Sequence, residues 1–305
     1  IWRCLLSFPC KLSRSSVLTI PRDGRKQRTL QKSVSISGIG VFTGQETNLT
    51  FHPSVADQGI VFQRTDLPNA PKIVASLDSV YSTPRCTIIG NKKAAIQMVE
   101  HLLASLRAHE IDNVFIQVFG PEVPILDGSS KDFSQLIEET GVVELNEEKK
   151  VFSLQTPIFW SNDQVQIIAI PANEYRLSYT LHYPHCLGIG TQFHTFVLST
   201  EEFVKEIAPC RTFSIYEEVV PMIEKGFIKR GGLENAILVQ ENEVINPEGL
   251  RYPNEMARHK ILDLIGDLSL IPVSFLAHVI AIRSGHTSNN TFAKLLYNQI
   301  KTENF

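Results

Sequence analysis

Residues 98–106, MVEHLLASL, align with residues 256–264, MARHKILDL. Met98 matches Met256, His101 matches His259 and Leu106 matches Leu264. Downstream of the first copy, VFIQVFG (114–120) is echoed by HVIAIRSG (278–285), and FSQLIEE (133–139) by FAKLLYN (292–298). A helix–strand–helix unit therefore occurs twice, and an internal repeat constrains a fold more than any single element does. The repeat implies an α+β protein of two related domains in a pseudo-twofold arrangement. Each domain is a β-sheet with two helices, and the helices form a layer between the sheets. His101 and His259 then approach each other from opposite domains.

The second copy poses a physical problem. In MARHKILDLIGDL (256–268), His259, Asp263 and Asp267 recur every four residues and fall on nearly the same side of a helix. The rest of that helix is mostly apolar. Setting such groups among core positions costs about several kcal/mol for each unpaired ion. Pairing with each other or with Lys and Arg is one way to offset that cost, and a shared cation is another. Catalytic zinc takes three protein ligands and keeps one position open, and His101, His259 and Asp263 make such a set. Glu100, next to His101 and about 100° around the helix, is placed to act as general base on water activated by the metal.

His286 follows Gly285 at a predicted strand end, a common location for catalytic side chains. Asp267 can accept a hydrogen bond from its ring, raise its pKa and keep it cationic. Thr212 offers a hydroxyl to a developing oxyanion. Taken singly, each residue also has a structural reading. The histidines can be satisfied core residues, the aspartates can pair with bases or cap loops, and Glu100 can be solvated. HYPH (182–185) has no nearby carboxylate and reads as surface.

The bulk properties narrow the function classes. The chain has 305 residues, enough for two domains, with 43% hydrophobic and 20% charged residues and a net charge of −3. An acidic balance gives no electrostatic case for nucleic acid. No apolar run reaches 18 residues, so no transmembrane segment is expected. Residues 268–282 are interrupted by Pro272 and His278 and read as a helix end, a loop and a buried strand. The five cysteines, at 4, 10, 86, 186 and 210, form no C-x-x-C and fit a reducing compartment.

Residues 1–32 hold eight Lys or Arg against a single acid, Asp23, mixed with Ser and short apolar patches. That composition matches an organellar transit peptide, a disordered basic tail being the other reading. Arg enrichment favours the mitochondrion, with the matrix as destination, over the plastid. Opening on Ile1, the chain reads as a fragment of a longer precursor. The division expected is a targeting or basic tail over 1–25, domain I over 26–146, and domain II over 147–305 with an insert near 214–240. The polar run 144–150 reads as the linker. The patterns also predict helices over 94–109, 131–141 and 214–226, a strand over 151–160, and a capping box from Ser199 to Glu202.

Ordered along the chain are KQRTL (26–30), GIGVFTG (38–44), RTDLP (64–68), VEHLLASL (99–106), IDN (111–113), PEVPILDGS (121–129), RTF (211–213), RHKILDLIGDL (258–268) and SGH (284–286). With these motifs the sequence resembles the UDP-3-O-acyl-N-acetylglucosamine deacetylases of lipid A biosynthesis, from about Lys26 to Ile300. The tail would make it an organelle-targeted, eukaryotic, plant-like member.

The resemblance implies a zinc metalloamidase that removes the N-acetyl group of UDP-3-O-acyl-N-acetylglucosamine. It implies zinc on His101, His259 and Asp263, Glu100 as general base, and His286 as acid or electrostatic partner held by Asp267. Thr212 would assist the oxyanion. Phe213, Lys260 and Gly285 would contact the sugar nucleotide, and the insert containing GFIKRGGLENAILV would line the acyl-chain passage. Phe42 stands where the family commonly has His, near the site mouth. No obligate protein partner is evident. The alternative is a catalytically silent protein that binds a sugar nucleotide or acyl chain.

Overall fold

The computed structural model describes residues 24–304. Two five-stranded sheets dominate it. In the first, Val34–Ile39 pairs antiparallel with Glu46–Pro53, which pairs antiparallel with Val114–Phe119. That strand runs parallel to Ile60–Arg64, which is edged by antiparallel Lys72–Val74. In the second, Ile158–Asn162, Val165–Ile170, Ser274–Ile282, Tyr175–Tyr183 and Gly190–Val197 lie side by side with the same sequence of antiparallel, antiparallel, parallel and antiparallel pairings. Numbered in chain order within each half, both sheets run first, second, fifth, third, fourth. The weak sequence repeat is thus a repeat of topology. Val151–Ser153 adds a short parallel strand beside the start of Ser274–Ile282.

Each sheet buries one face. Glu46–Pro53 turns Thr47, Leu49 and Phe51 inward, and Ser274–Ile282 turns in Phe275, Ala277, Val279 and Ala281. This is the period-two pattern of a half-buried strand. Helix α1 (Val99–Ala108) comes just before the fifth strand of the first sheet and α2 (Lys131–Thr140) follows it. Helix α3 is a single turn (Thr200–Glu202) that runs into a wider turn at Phe203–Ile207, and α4 spans Tyr216–Glu224. Helices α5 (Glu255–Leu268) and α6 (His286–Asn304) flank the fifth strand of the second sheet as α1 and α2 flank the first.

α1 and α5 lie against each other and are buried nearly all round, with Leu102, Leu103, Leu106, Ile261, Leu264 and Ile265 all without exposure. Helices that are apolar on every side belong to an inner layer. At their crossing, Gly266 makes the approach possible, because a Cβ there would lie 2.1 Å from the carbonyl oxygen of Glu100. No helix among the described residues is long and apolar enough to cross a membrane.

Several local expectations change. The helix expected over 94–109 starts only at Val99. Ala94–Ile96 is a strand paired with Ile88–Asn91, the Gln97 N–H goes to the Pro121 carbonyl, and Met98 turns the chain with a φ of 62°. The polar run at 144–150 is not an open linker, since Val142–Glu148 is an exposed strand paired with Lys26–Leu30. The strand expected over 151–160 breaks after Ser153, where the N–H groups of Gln155 and Thr156 turn to the Glu303 carboxylate.

The helix expected over 214–226 is shorter, because Phe213–Ile215 is a strand that pairs with Ile237–Gln240. The Ser199 hydroxyl does accept the Glu202 N–H, at 3.3 Å. Of the tail expected over 1–25, only Gly24 and Arg25 are among the described residues. Arg25 is tied into the body by Asp112 at 2.6 Å and Glu110 at 3.2 Å.

Candidate active site

Sequence places His101 in the first turn of α1, and His259 and Asp263 one turn apart on α5. The helix crossing brings all three together. The His101 and His259 rings meet edge to face with centroids 5.0 Å apart. Asp263 Oδ1 lies 3.6 Å from His101 Nε2 and 3.3 Å from His259 Nε2. One ligand atom from each of the three residues falls within 4.8 Å of the others, and all three residues are buried.

Two observations show that this triangle fits a cation. Asp263 Oδ1 is buried with no hydrogen-bond partner, which is costly unless something else satisfies it. His259 Nδ1 lies 3.0 Å from the Cys210 carbonyl, so that nitrogen donates and Nε2 keeps its lone pair for the cleft. Burial pushes the His259 imidazole down to about 3, leaving it neutral as a ligand must be. Burial works against the Asp263 charge, but Lys260 and His259 hold the carboxyl well below its usual range, with Lys260 Nζ 2.7 Å from Oδ2. Two imidazoles and a carboxylate are a donor set suited to zinc and similar divalent metals.

Two further carboxylates and an imidazole border the triangle. Burial raises the pKa of Glu100, whose Oε2 accepts the Thr87 N–H at 2.9 Å and whose Oε1 faces His286 Nε2 at 3.7 Å. His286 begins α6, and its Nδ1 donates to Asp267 Oδ2 at 3.0 Å. Burial opposes the ring's charge, but Asp267 and Glu100 outweigh it and raise the imidazole to about 9. A carboxylate that takes up a proton easily thus sits beside an imidazole that is cationic at neutral pH.

A cavity of about 400 Å3 opens above these groups. Thr212 and Phe213 line it, with the Thr212 N–H held by the Gly128 carbonyl at 2.8 Å. Its apolar wall comes from Met98 and from Val219, Met222, Ile223 and Ile228 of the segment that sequence marked as an insert. Phe42 lines it too, its N–H anchored on the buried Glu122 carboxylate at 3.1 Å. Lys260 lies 5.9 Å above the Phe213 ring and also lines a second cavity of about 560 Å3 with Tyr179, His182 and Arg283. HYPH, read as surface, keeps Pro184 and His185 exposed and lies along the wall of this open cavity.

All the expected site residues converge except Gly285. It lines neither cavity, and its N–H is taken by the Ser288 hydroxyl at 2.9 Å. Sequence reasoning missed Thr87, Asn289 and Asn290, which surround Asp267 and Glu100. For the two asparagines the available signal was SNN (288–290), which follows SGH after Thr287 on the helix that His286 begins.

The comparisons agree with this geometry. The family model LpxC, UDP-3-O-acyl N-acetylglycosamine deacetylase, matches residues 27–298. A UDP-3-O-acyl-N-acetylglucosamine deacetylase of Chlamydia pneumoniae is 44% identical over 271 residues, covering 88% of this chain and 96% of the relative. The enzyme of that name from Chlamydia felis is 43% identical over 277 residues, covering 91% and 99%. The one from Chlamydia trachomatis serovar L2 is 45% identical over 266 residues, covering 87% and 93%. With a shared identity that runs nearly end to end, the chain belongs to the UDP-3-O-acyl N-acetylglycosamine deacetylase family.

Proposed function

We propose that the protein hydrolyses the N-acetyl amide of UDP-3-O-acyl-N-acetylglucosamine, giving UDP-3-O-acyl-glucosamine and acetate for lipid A-type biosynthesis, and that it does so with zinc. The observation that carries this reading is the triangle of His101, His259 and Asp263 with its orphaned buried oxygen, set against Glu100 and His286 in one cavity. These three residues would hold the ion. Zinc in such a site supplies Lewis acidity, which lowers the pKa of water to about 7 and draws charge from a carbonyl oxygen.

The chain's own groups supply the proton transfers. Glu100 takes a proton from water as the water oxygen adds to the amide carbon. The Thr212 hydroxyl donates to the carbonyl oxygen as negative charge gathers there. The His286 cation, fixed by Asp267, adds positive charge on the same side. The C–N bond then breaks, and the amine leaves with a proton from His286 or Glu100. The apolar wall of the cavity above the triangle suits the acyl chain. Lys260 and Arg283 offer two cations to a diphosphate in the second cavity, on a wall they share with Glu217, Glu218 and Glu241. A silent binding protein is the weaker reading, because every group the reaction requires is present.

The test is metal content with turnover. Purified protein should hold about one zinc per chain, lose deacetylation on chelation and regain it with zinc. Activity that persists in metal-free protein would overturn the mechanism. The composition of residues 1–32 supports delivery of an organelle-targeted, eukaryotic form to the mitochondrial matrix. A fluorescent fusion of residues 1–35 that stays in the cytosol would refute that destination.

A further inference from the structure

Thr87 lies just ahead of the strand Ile88–Asn91 and is fully buried. It touches both catalytic carboxylates, one from each half of the molecule. Its N–H donates to Glu100 Oε2 at 2.9 Å, and its hydroxyl donates to Asp267 Oδ1. The same hydroxyl accepts from Asn290 Nδ2 at 3.3 Å, and Asn290 also donates to the backbone carbonyl of His286 at 2.9 Å. The other Asp267 oxygen, Oδ2, receives His286 Nδ1 at 3.0 Å and Asn289 Nδ2 at 2.8 Å.

The direction of this network is fixed. A hydroxyl has one proton, and an amide nitrogen can only donate to it. Asn290 can only donate to the Thr87 oxygen and the Asp267 carboxylate can only accept, so Thr87 gives its proton to Asp267. Asn289 and Asn290 both leave their side-chain oxygens buried without a partner. Leaving a buried acceptor unmade costs about 1–3 kcal/mol. The amides tolerate this so that their N–H ends face Asp267 and Thr87.

We propose that Thr87 is a positioning residue that assigns separate tasks to the two oxygens of each catalytic carboxylate. On Glu100 it occupies Oε2, which leaves Oε1, the oxygen facing His286 at 3.7 Å, to receive the proton from water. On Asp267 it occupies Oδ1, which leaves Oδ2 to hold the His286 ring. A carboxylate with two equivalent oxygens can rotate between them. A fixed donor on one oxygen removes that freedom before substrate arrives, which is how surrounding hydrogen bonds preorganise a site. The inference rests on the deacetylase reading for the role of Glu100, and on the hydrogen bonds alone for the orientation of His286.

The experiment compares Thr87→Val, which keeps the shape and removes the hydroxyl, with Thr87→Ser, which keeps the hydroxyl. Thr87→Ala replaces the valine variant if valine does not fold. Zinc-loaded full-length protein is assayed for kcat and KM, and its zinc content is measured. The Nδ1–H resonance of His286 is followed by NMR in histidine-labelled protein. Thr87→Val should lower kcat about 10- to 100-fold with zinc retained and KM within about two-fold of the parent. The His286 resonance should shift, and Thr87→Ser should restore both signals. Parental kcat in the valine variant, a loss confined to KM, or an unmoved resonance would each overturn the hydroxyl's task on Asp267, since the backbone N–H to Glu100 is common to all the variants. Inactivity of the parent protein would instead overturn the deacetylase reading, while the resonance would still decide whether Thr87 orients the imidazole.

Discussion

Glu255 accepts both the backbone N–H and the Nε of Arg211, each at 3.0 Å, and neither side chain is more than 1% exposed. The preceding residue, Cys210, presents its carbonyl to His259 Nδ1. Glu255 and His259 stand one turn apart on α5. The ring closes on itself, from α5 through Glu255, Arg211, Cys210 and His259 back to α5.

Glu255→Ala should therefore be among the most damaging substitutions away from the reacting groups. It strands the Arg211 guanidinium in the interior, where Glu248 remains only as an exposed partner. Breaking a buried pair by removing one member costs about 3–5 kcal/mol. Urea unfolding measures this. A loss below about 1 kcal/mol would mean that solvent reaches Arg211 freely.

Gly266→Ala tests the helix crossing. On helix propensity alone the change should stabilise by about 1 kcal/mol. The new methyl, however, meets the Glu100 backbone, which cannot swing aside as a side chain can. Overpacking should dominate and cost about 1–3 kcal/mol. Because the same crossing sets the separation of His101 and His259, zinc affinity should fall with thermal stability. A variant with an unchanged or higher melting temperature would show that the helices are looser than described.

Removing groups beside the ligand triangle should separate chemistry from metal retention. Glu100→Gln should lower kcat by about 10^2- to 10^4-fold while zinc content holds, since Glu100 is not part of the triangle. Asp267→Asn should lower kcat less, about 10- to 100-fold, by releasing the His286 ring. His259→Ala should lose zinc and turnover together. Metal analysis alongside initial rates distinguishes the three, and zinc loss in Glu100→Gln would reassign that carboxylate as a ligand.

His109 predicts an acid sensitivity. The ring is 5% exposed, its Nε2 has no partner, and burial pushes it down to about 4 from the ordinary 6.5. As pH falls through 6.5 the unfolded chain binds this proton before the folded chain does. Stability is therefore complete above 6.5 and drains as pH drops toward 4. The loss amounts to roughly 3 kcal/mol when the folded state finally protonates. His109→Leu should lack this component. Denaturation curves of parent and variant at pH 7 and pH 4.5 give the difference, and equal pH dependence in the two would exclude His109 as the cause.

The parts of the site that could be read from sequence were those carried by helical spacing. His259, Asp263 and Asp267 announce themselves because a helix fixes which residues share a face. The repeat then supplied His101 without any local metal motif. Thr87 gave no such sign, since a single Thr in RCTII has no periodicity and reaches Asp267 only through tertiary contact. The same holds for Val142–Glu148, whose polar sequence forms a strand because Lys26–Leu30 lies alongside it. Ala94–Ile96 reads as helix by composition and is held extended by Ile88–Asn91, so pairing overrode propensity.

Each half of the molecule completes its own hydrogen-bonded sheet, yet neither owns a full ligand set, with His101 on one side and His259 and Asp263 on the other. An ion gripped by all three behaves as a rivet. If that ion is the proposed zinc, its occupancy and the docking of the halves would be linked equilibria, and each tenfold rise in free zinc above the dissociation constant would add about 1.4 kcal/mol to the closed assembly. Starvation for zinc would then loosen the seam between the halves before either sheet unravels.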